Sequence, residues 1–269
     1  MQTDKRFKWT NEELDLLKSN YGLILAKDIA LLLNKNIGSI IYKANAIGLK
    51  SNRSLLHKKY TINDDYFKIP NLQNSYWAGF LAADGCIDDG VRPRIRLKLS
   101  NKDKTHLETF QSHCNYDGPL YHFTQSNKEY CSFETRNKEW VKDLKDNFKI
   151  TSRKTFTLSP PNLSQENSLA FICGYIDGDG CISIDRKTQR SNSKLRLSLI
   201  GTKEILVWIK LIFDKICDKF NNANVAERNN MSFYVIAGYK AKFILNHLNK
   251  MEIPYLYRKW NKLKCSTIT

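Results

Sequence analysis

The chain has 269 residues, 42% of them hydrophobic, with 43 Lys and Arg against 27 Asp and Glu for a formal charge of +16. That content builds one large or two modest cores and excludes disorder of the whole chain. The basic excess runs along most of the sequence and suits a polyanion, nucleic acid ahead of an anionic membrane. The longest apolar run, 205–213, contains Lys210 and falls well short of the ~20 residues of a membrane span. The polar, charged N-terminus carries no secretory signal. Seven cysteines without a C-x-x-C pair argue against a disulfide framework or zinc ribbon. They fit a reducing, intracellular compartment: a bacterial or phage-infected cytoplasm, or an organelle. The five histidines lack metal-ligand spacing.

Residues 1–50 read as a separate helical unit. Thr10, with Glu13 three residues later, forms a capping box behind Trp9, and Leu14 and Leu17 share a face of the first helix. Further helices are predicted at 27–33 and 37–47, the latter buried through Ile37, Ile40 or Ile41, Ala44 and Ile47 and ended by Gly48. The order W-T-x-E-E, I-A-x-x-L and S-I-x-x-K-A-x-x-I-G-L resembles Myb-like helix-turn-helix domains. That resemblance implies a third helix in the DNA major groove presenting Ser39, Tyr42 and Lys43. Residues 51–74, with Arg53, Lys58, Lys59 and Pro70, read as a basic linker able to lie along a phosphate backbone.

The segment YWAGFLAADGCI at 76–87 returns as FICGYIDGDGCI at 171–182, placing Gly79 over Gly174, Asp84 over Asp179 and Cys86 over Cys181. Each copy predicts an apolar helix ending in Asp. Alternating strands follow at 94–100 and 194–200, each with one basic and one aliphatic face. Next come helices at 103–114 and 203–220, and strands at 120–125 and 130–135 or 225–228 and 231–237. A closing helix carries Trp140 and Leu144 in one copy and Phe243, Ile244 and Leu248 in the other. An Arg-Lys pair follows each, Arg153-Lys154 and Arg258-Lys259. The longer second copy has its extra residues near 186–192. The chain thus reads as an α+β protein with two αββαββα halves, 75–165 and 166–269.

Ala78, Gly79, Ala82 and Ala83 in one motif helix, and Cys173, Gly174 and Gly178 in the other, would let two backbones approach closely. Asp84 and Asp179 would then emerge together at helix C-termini, where partial negative charge calls for a compensating cation. Mg²⁺ suits such a pair, taking one or two carboxylates with water and phosphate oxygens. Ions there could activate a water and stabilise a leaving 3′ oxygen.

On these paired motifs, and on the strand and helix order behind both, residues 74–264 resemble the single-chain, two-motif LAGLIDADG homing endonucleases. The resemblance implies a monomeric, pseudo-twofold enzyme that makes a double-strand break at a long DNA site, with two four-stranded sheets in successive major grooves. Carried over by position, Asp84 and Asp179 are the catalytic acids sharing two or more Mg²⁺ ions. The carbonyls of Ala83 and Gly178 are weaker metal contacts, and Lys154 and Lys259 stand near the scissile phosphates. The DNA contacts implied are Arg94, Arg96, Lys98 and Asn101 in the first half, Lys194, Arg196, Ser198 and Arg228 in the second, and Arg53 in the linker. Arginine reads guanine bidentately and lysine contacts phosphate, so the residue types suit the role. The sixth motif position is Ala82 in one copy and Asp177 in the other, and the resemblance gives it no essential role. Two alternatives share the fold: an RNA maturase assisting intron splicing, and a non-catalytic transcriptional regulator, against which the retained acids argue.

Overall fold

A computed structural model describes residues 9–50, 60–185, 194–218, 223–228 and 231–265. The chain divides into two compact units, Met1–Thr61 and Ile62–Thr269. Arg53, Lys58, Lys59 and the 186–192 insertion lie outside the described residues.

The first unit contains α1 (Asn11–Asn20), α2 (Ala26–Leu32) and α3 (Ile37–Ala46). The capping box is present: the Glu13 N–H donates to Thr10 Oγ1 and the Thr10 N–H to the Glu13 carboxylate. Leu17, Ile29, Ala30, Ile40 and Ala44 form the core. The buried stripe predicted on α3 is shorter than expected, with Ile37 46% and Ile47 37% exposed. Of the stripe only Ile40 and Ala44 are fully buried. Gly48, at φ +76°, takes the left-handed conformation that ends α3.

The second unit runs α4 (Leu72–Asp84), β1 (Gly85–Asp88), β2 (Arg94–Ser100), α5 (Lys104–His113), β3 (Tyr121–Gln125), β4 (Lys128–Thr135), α6 (Lys138–Phe148) and α7 (Lys154–Thr157). It repeats as α8 (Gln165–Asp179), β5 (Cys181–Asp185), β6 (Lys194–Gly201), α9 (Lys203–Ile216), β7 (Val225–Arg228), β8 (Met231–Ala237) and α10 (Gly238–Leu248). Two short helices, α11 (Tyr257–Trp260) and α12 (Lys262–Cys265), follow. The antiparallel sheets have the orders β1-β2-β4-β3 and β5-β6-β8-β7, so the duplication holds strand by strand. Helix α9 stops at Ile216, short of the predicted end at 220.

Alternation explains each sheet. Ile95, Leu97 and Leu99 of β2 and Leu195, Leu197 and Leu199 of β6 are buried, and each such side chain contributes about 1.5–3 kcal/mol on leaving water. Their neighbours Arg94, Arg96 and Lys98, and Lys194, Arg196 and Ser198, occupy the opposite faces. Beneath the first sheet, Leu107 and Phe110 of α5 and Trp140, Leu144 and Phe148 of α6 are fully buried.

The linker expectation fails after residue 61. Tyr66 and Phe67 lie in the core, Phe67 edge-on to Trp140 at 5.0 Å between centroids. The backbone on both sides of them is held by side chains: Asn74 Nδ2 donates to the Tyr66 and Ile69 carbonyls at 2.7 and 2.8 Å, and Trp140 Nε1 to that of Asn63 at 2.8 Å. A polar stretch can pack when buried amides satisfy its carbonyls, and composition alone does not register that.

Candidate active site

Helices α4 and α8 touch backbone to backbone. A Cβ added to Gly79 would sit 1.9 Å from the Phe171 carbonyl oxygen, and one on Gly174 1.8 Å from that of Tyr76. Only glycine permits this approach. The contact continues to the last turn, where a Cβ on Gly178 would lie 2.2 Å from the Cβ of Ala83. Asp84 and Asp179 each follow this contact by one residue, so the two motif acids are brought together.

Both acids reach solvent, yet the surrounding protein pushes both carboxyl pKa values up. For Asp84 burial is the main cause and the neighbouring Asp179 charge the second, opposed by Lys259, Lys154 and Arg258. For Asp179 burial is again first, opposed by Lys154 and Lys259. The predicted lysines therefore join the acids. Lys154 Nζ donates to the Ala83 carbonyl at 2.7 Å. Lys259 Nζ donates to three carbonyls, Ile176 at 3.1 Å, Gly178 at 2.8 Å and Gly180 at 2.7 Å. The ammonium groups thus cap the negative ends of both helices. Burial in turn lowers both lysine pKa values, against the pull of the carboxylates. The Ala83 and Gly178 carbonyls, expected as weak metal contacts, each accept a hydrogen bond from one of these lysines.

Three features escaped the sequence reading. Asp177, 1% exposed, accepts from Tyr76 Oη at 2.7 Å, from the Leu256 N–H at 2.8 Å and from Trp260 Nε1 at 2.6 Å. Burial pushes its pKa up to about 6, and its donors and Lys259 resist the rise. Tyr76 Oη also meets His106 Nε2 at 2.8 Å; with the phenol proton committed to Asp177, the imidazole is the donor. Arg258 makes a forked pair with Asp103, Nε to Oδ1 at 2.8 Å and Nη2 to Oδ2 at 2.9 Å, tying the segment before α12 to the first half. The Asp177–Ala82 mismatch and the aromatic Trp260 after the second Arg-Lys pair were the available signals.

The predicted sheet contacts divide by half. Lys98 stands over the Tyr130 ring at 3.9 Å and the Phe123 ring at 5.0 Å, Asn101 meets Glu129 at 3.3 Å, and Arg94 meets Glu134 at 3.9 Å. In the second sheet Arg196 is 3.6 Å from Asp185, and Lys194 and Arg228 are exposed. Ser39, Tyr42 and Lys43 lie on α3 in the first unit, Tyr42 78% exposed.

Residues 172–262 match the model of the LAGLIDADG endonuclease family. Over that stretch the chain is similar to the LAGLIDADG endonucleases. The match covers the second half, and the strand order makes the first half its duplicate. The LAGLIDADG meganuclease I-CpaMI, solved bound to uncleaved DNA, is 13% identical with a TM-score of 0.50 over 72% of this chain and 90% of that chain. The LAGLIDADG homing endonuclease I-LtrWI, solved bound to target DNA, is 14% identical with a TM-score of 0.45 over 76% and 90%. The I-CpaMI likeness establishes the shared fold. No curated protein matches the sequence. Among the described residues no helix is long and apolar enough to cross a membrane.

Proposed function

We propose that the protein is a metal-dependent, site-specific DNA endonuclease of the homing type, acting as a monomer on double-stranded DNA. The observation that carries this reading is the carboxylate pair, Asp84 and Asp179, at the ends of two helices in backbone contact, with a lysine on either side. The pair suits one chemistry: two carboxylates whose pKa values are raised by burial, and for Asp84 also by its partner, gain from a shared cation. Among the described residues no cluster of three or more His, Cys, Asp or Glu side chains is arranged to hold a metal. The donor set is therefore two carboxylates completed by water and phosphate oxygens, which fits Mg²⁺ rather than zinc. Bound there, Mg²⁺ would supply an activated water and charge stabilisation for the leaving 3′ oxygen. Asp84 and Asp179 would hold it. Lys154 and Lys259 would place positive charge beside phosphates, and the basic sheet faces would set the register on the duplex. The first unit adds a second DNA contact through Ser39, Tyr42 and Lys43, and a mobile-element setting accords with the family.

The test is incubation with a randomised duplex library and Mg²⁺, then sequencing of the cut ends. A single recurring site supports the reading. Uncut DNA together with tight binding to structured RNA would favour the maturase alternative.

A further inference from the structure

The duplication is broken at one place. The second motif carries Asp177 where the first has Ala82, the first carries Tyr76 where the second has Phe171, and Trp260 follows Lys259 where Thr155 follows Lys154. These substitutions build one polar network on one side only. Asp177 takes the Leu256 N–H and the Trp260 indole, from residues three before and one after Lys259. The carboxylate therefore grips α11 on both sides of the lysine that the helix carries. The outcome is visible: Lys259 is 8% exposed and held by three carbonyls, whereas half-buried Lys154 donates to the carbonyl of Ala83. At the positions related to these by the duplication, Ala82 of the first half and Phe171 of the second offer neither carboxylate nor phenol.

We infer that Asp177 is a positioning residue for Lys259, and that the two half-sites are inequivalent because only one lysine is anchored in this way. The inference rests on the endonuclease reading for its consequence at DNA, though not for its geometry. If each lysine serves the strand nearest it, loosening α11 slows one strand and leaves the other.

Two conservative variants test this. Asp177→Asn replaces one acceptor oxygen by an amide while keeping the shape, and Trp260→Phe removes only the indole N–H. Lysine reactivity is read first, by limited acylation and mass spectrometry of the full chain. Lys259 is expected to be protected in the wild type and to react faster in both variants, about tenfold, because lost fixation exposes the ammonium, with Lys154 unchanged. Strand cleavage is read second, on a duplex recovered from the randomised library and labelled at either end. Both variants should slow the same strand by about 10–100-fold and accumulate nicked product. That strand should be the one slowed by Lys259→Met and opposite to the one slowed by Lys154→Met. Thermal unfolding checks that the variants are folded. Unchanged Lys259 reactivity in folded variants overturns the inference, as does equal slowing of both strands. A wild type that cuts no duplex counts against the endonuclease reading, and the acylation result still decides whether Asp177 fixes Lys259.

Discussion

Each motif acid follows directly on a carbonyl that a lysine holds. The Ala83 and Gly178 carbonyls are taken by Lys154 and Lys259, so the helix ends are neutralised without consuming either carboxylate. We predict that Asp84→Asn or Asp179→Asn lowers double-strand cleavage by about 100-fold or more, roughly 3 kcal/mol in barrier height, while DNA affinity in Ca²⁺ stays within a few-fold. Gel-shift and cleavage assays on one duplex separate the two, and a variant cutting both strands at the wild-type rate would show these acids to be misassigned. His106 offers a second, chemically distinct check. Burial holds its pKa at about 4, against an ordinary 6.5, so the folded chain favours the neutral ring. Its contribution is complete above pH 6.5 and is lost as pH falls from 6.5 towards 4, a change of about 3 kcal/mol. Raised to about 6, Asp177 works the other way, gaining stability as the pH drops. Comparison with His106→Gln, which keeps Asp177, largely removes that opposing effect. Between pH 7.5 and 4.5 the wild type should lose about 2–3 kcal/mol relative to the variant in urea unfolding; parallel pH dependence would rule this out. The acids were legible because they close a repeated motif. Asp177 was not, since its donors sit on Tyr76 and, far along the chain, on Leu256 and Trp260, which only the packed helices bring together.

The crossing of α4 and α8 makes its own demand. Gly79→Ala or Gly174→Ala would drive a methyl into a carbonyl oxygen that belongs to rigid helix backbone. We expect each to cost about 1–3 kcal/mol or more, read as a lower urea midpoint. By contrast Gly38→Ala, whose nearest neighbour is the Asn36 side chain at 3.1 Å, should cost far less; equal losses at the two sites would contradict the close crossing. Strands and helices were readable at this scale because alternation and 3.6-residue stripes follow directly from which face is buried. The segment before α4 was misread for the opposite reason. Its order depends on Asn74, Asn147 and Trp140 donating to its carbonyls, contacts without periodicity.

For the chain as a whole, the expectation concerns two units acting on one duplex. Removing residues 1–61 should weaken binding and flatten its dependence on salt, because fewer phosphates are neutralised. Cleavage at saturating protein should survive, since Asp84, Asp179, Lys154 and Lys259 all belong to the remaining unit. An unchanged footprint and affinity would assign the three helices a different partner. Sedimentation of the complex should give one chain per site, and two chains would contradict a monomer that uses its halves in place of a dimer.

Doubling of a half is reversible only while the halves stay interchangeable, and here they are not. A chain assembled from two second halves would bury Asp177 twice, each carboxylate facing Phe171 and lacking the phenol donor that Tyr76 supplies. One assembled from two first halves would pair Tyr76 with Ala82 and leave each phenol without its carboxylate. Replacing either half by a copy of the other therefore takes one hydrogen bond from a buried group at both places, at about 1–3 kcal/mol apiece where the partner is charged, and the two halves hold their value only as the unlike pair that a single chain supplies.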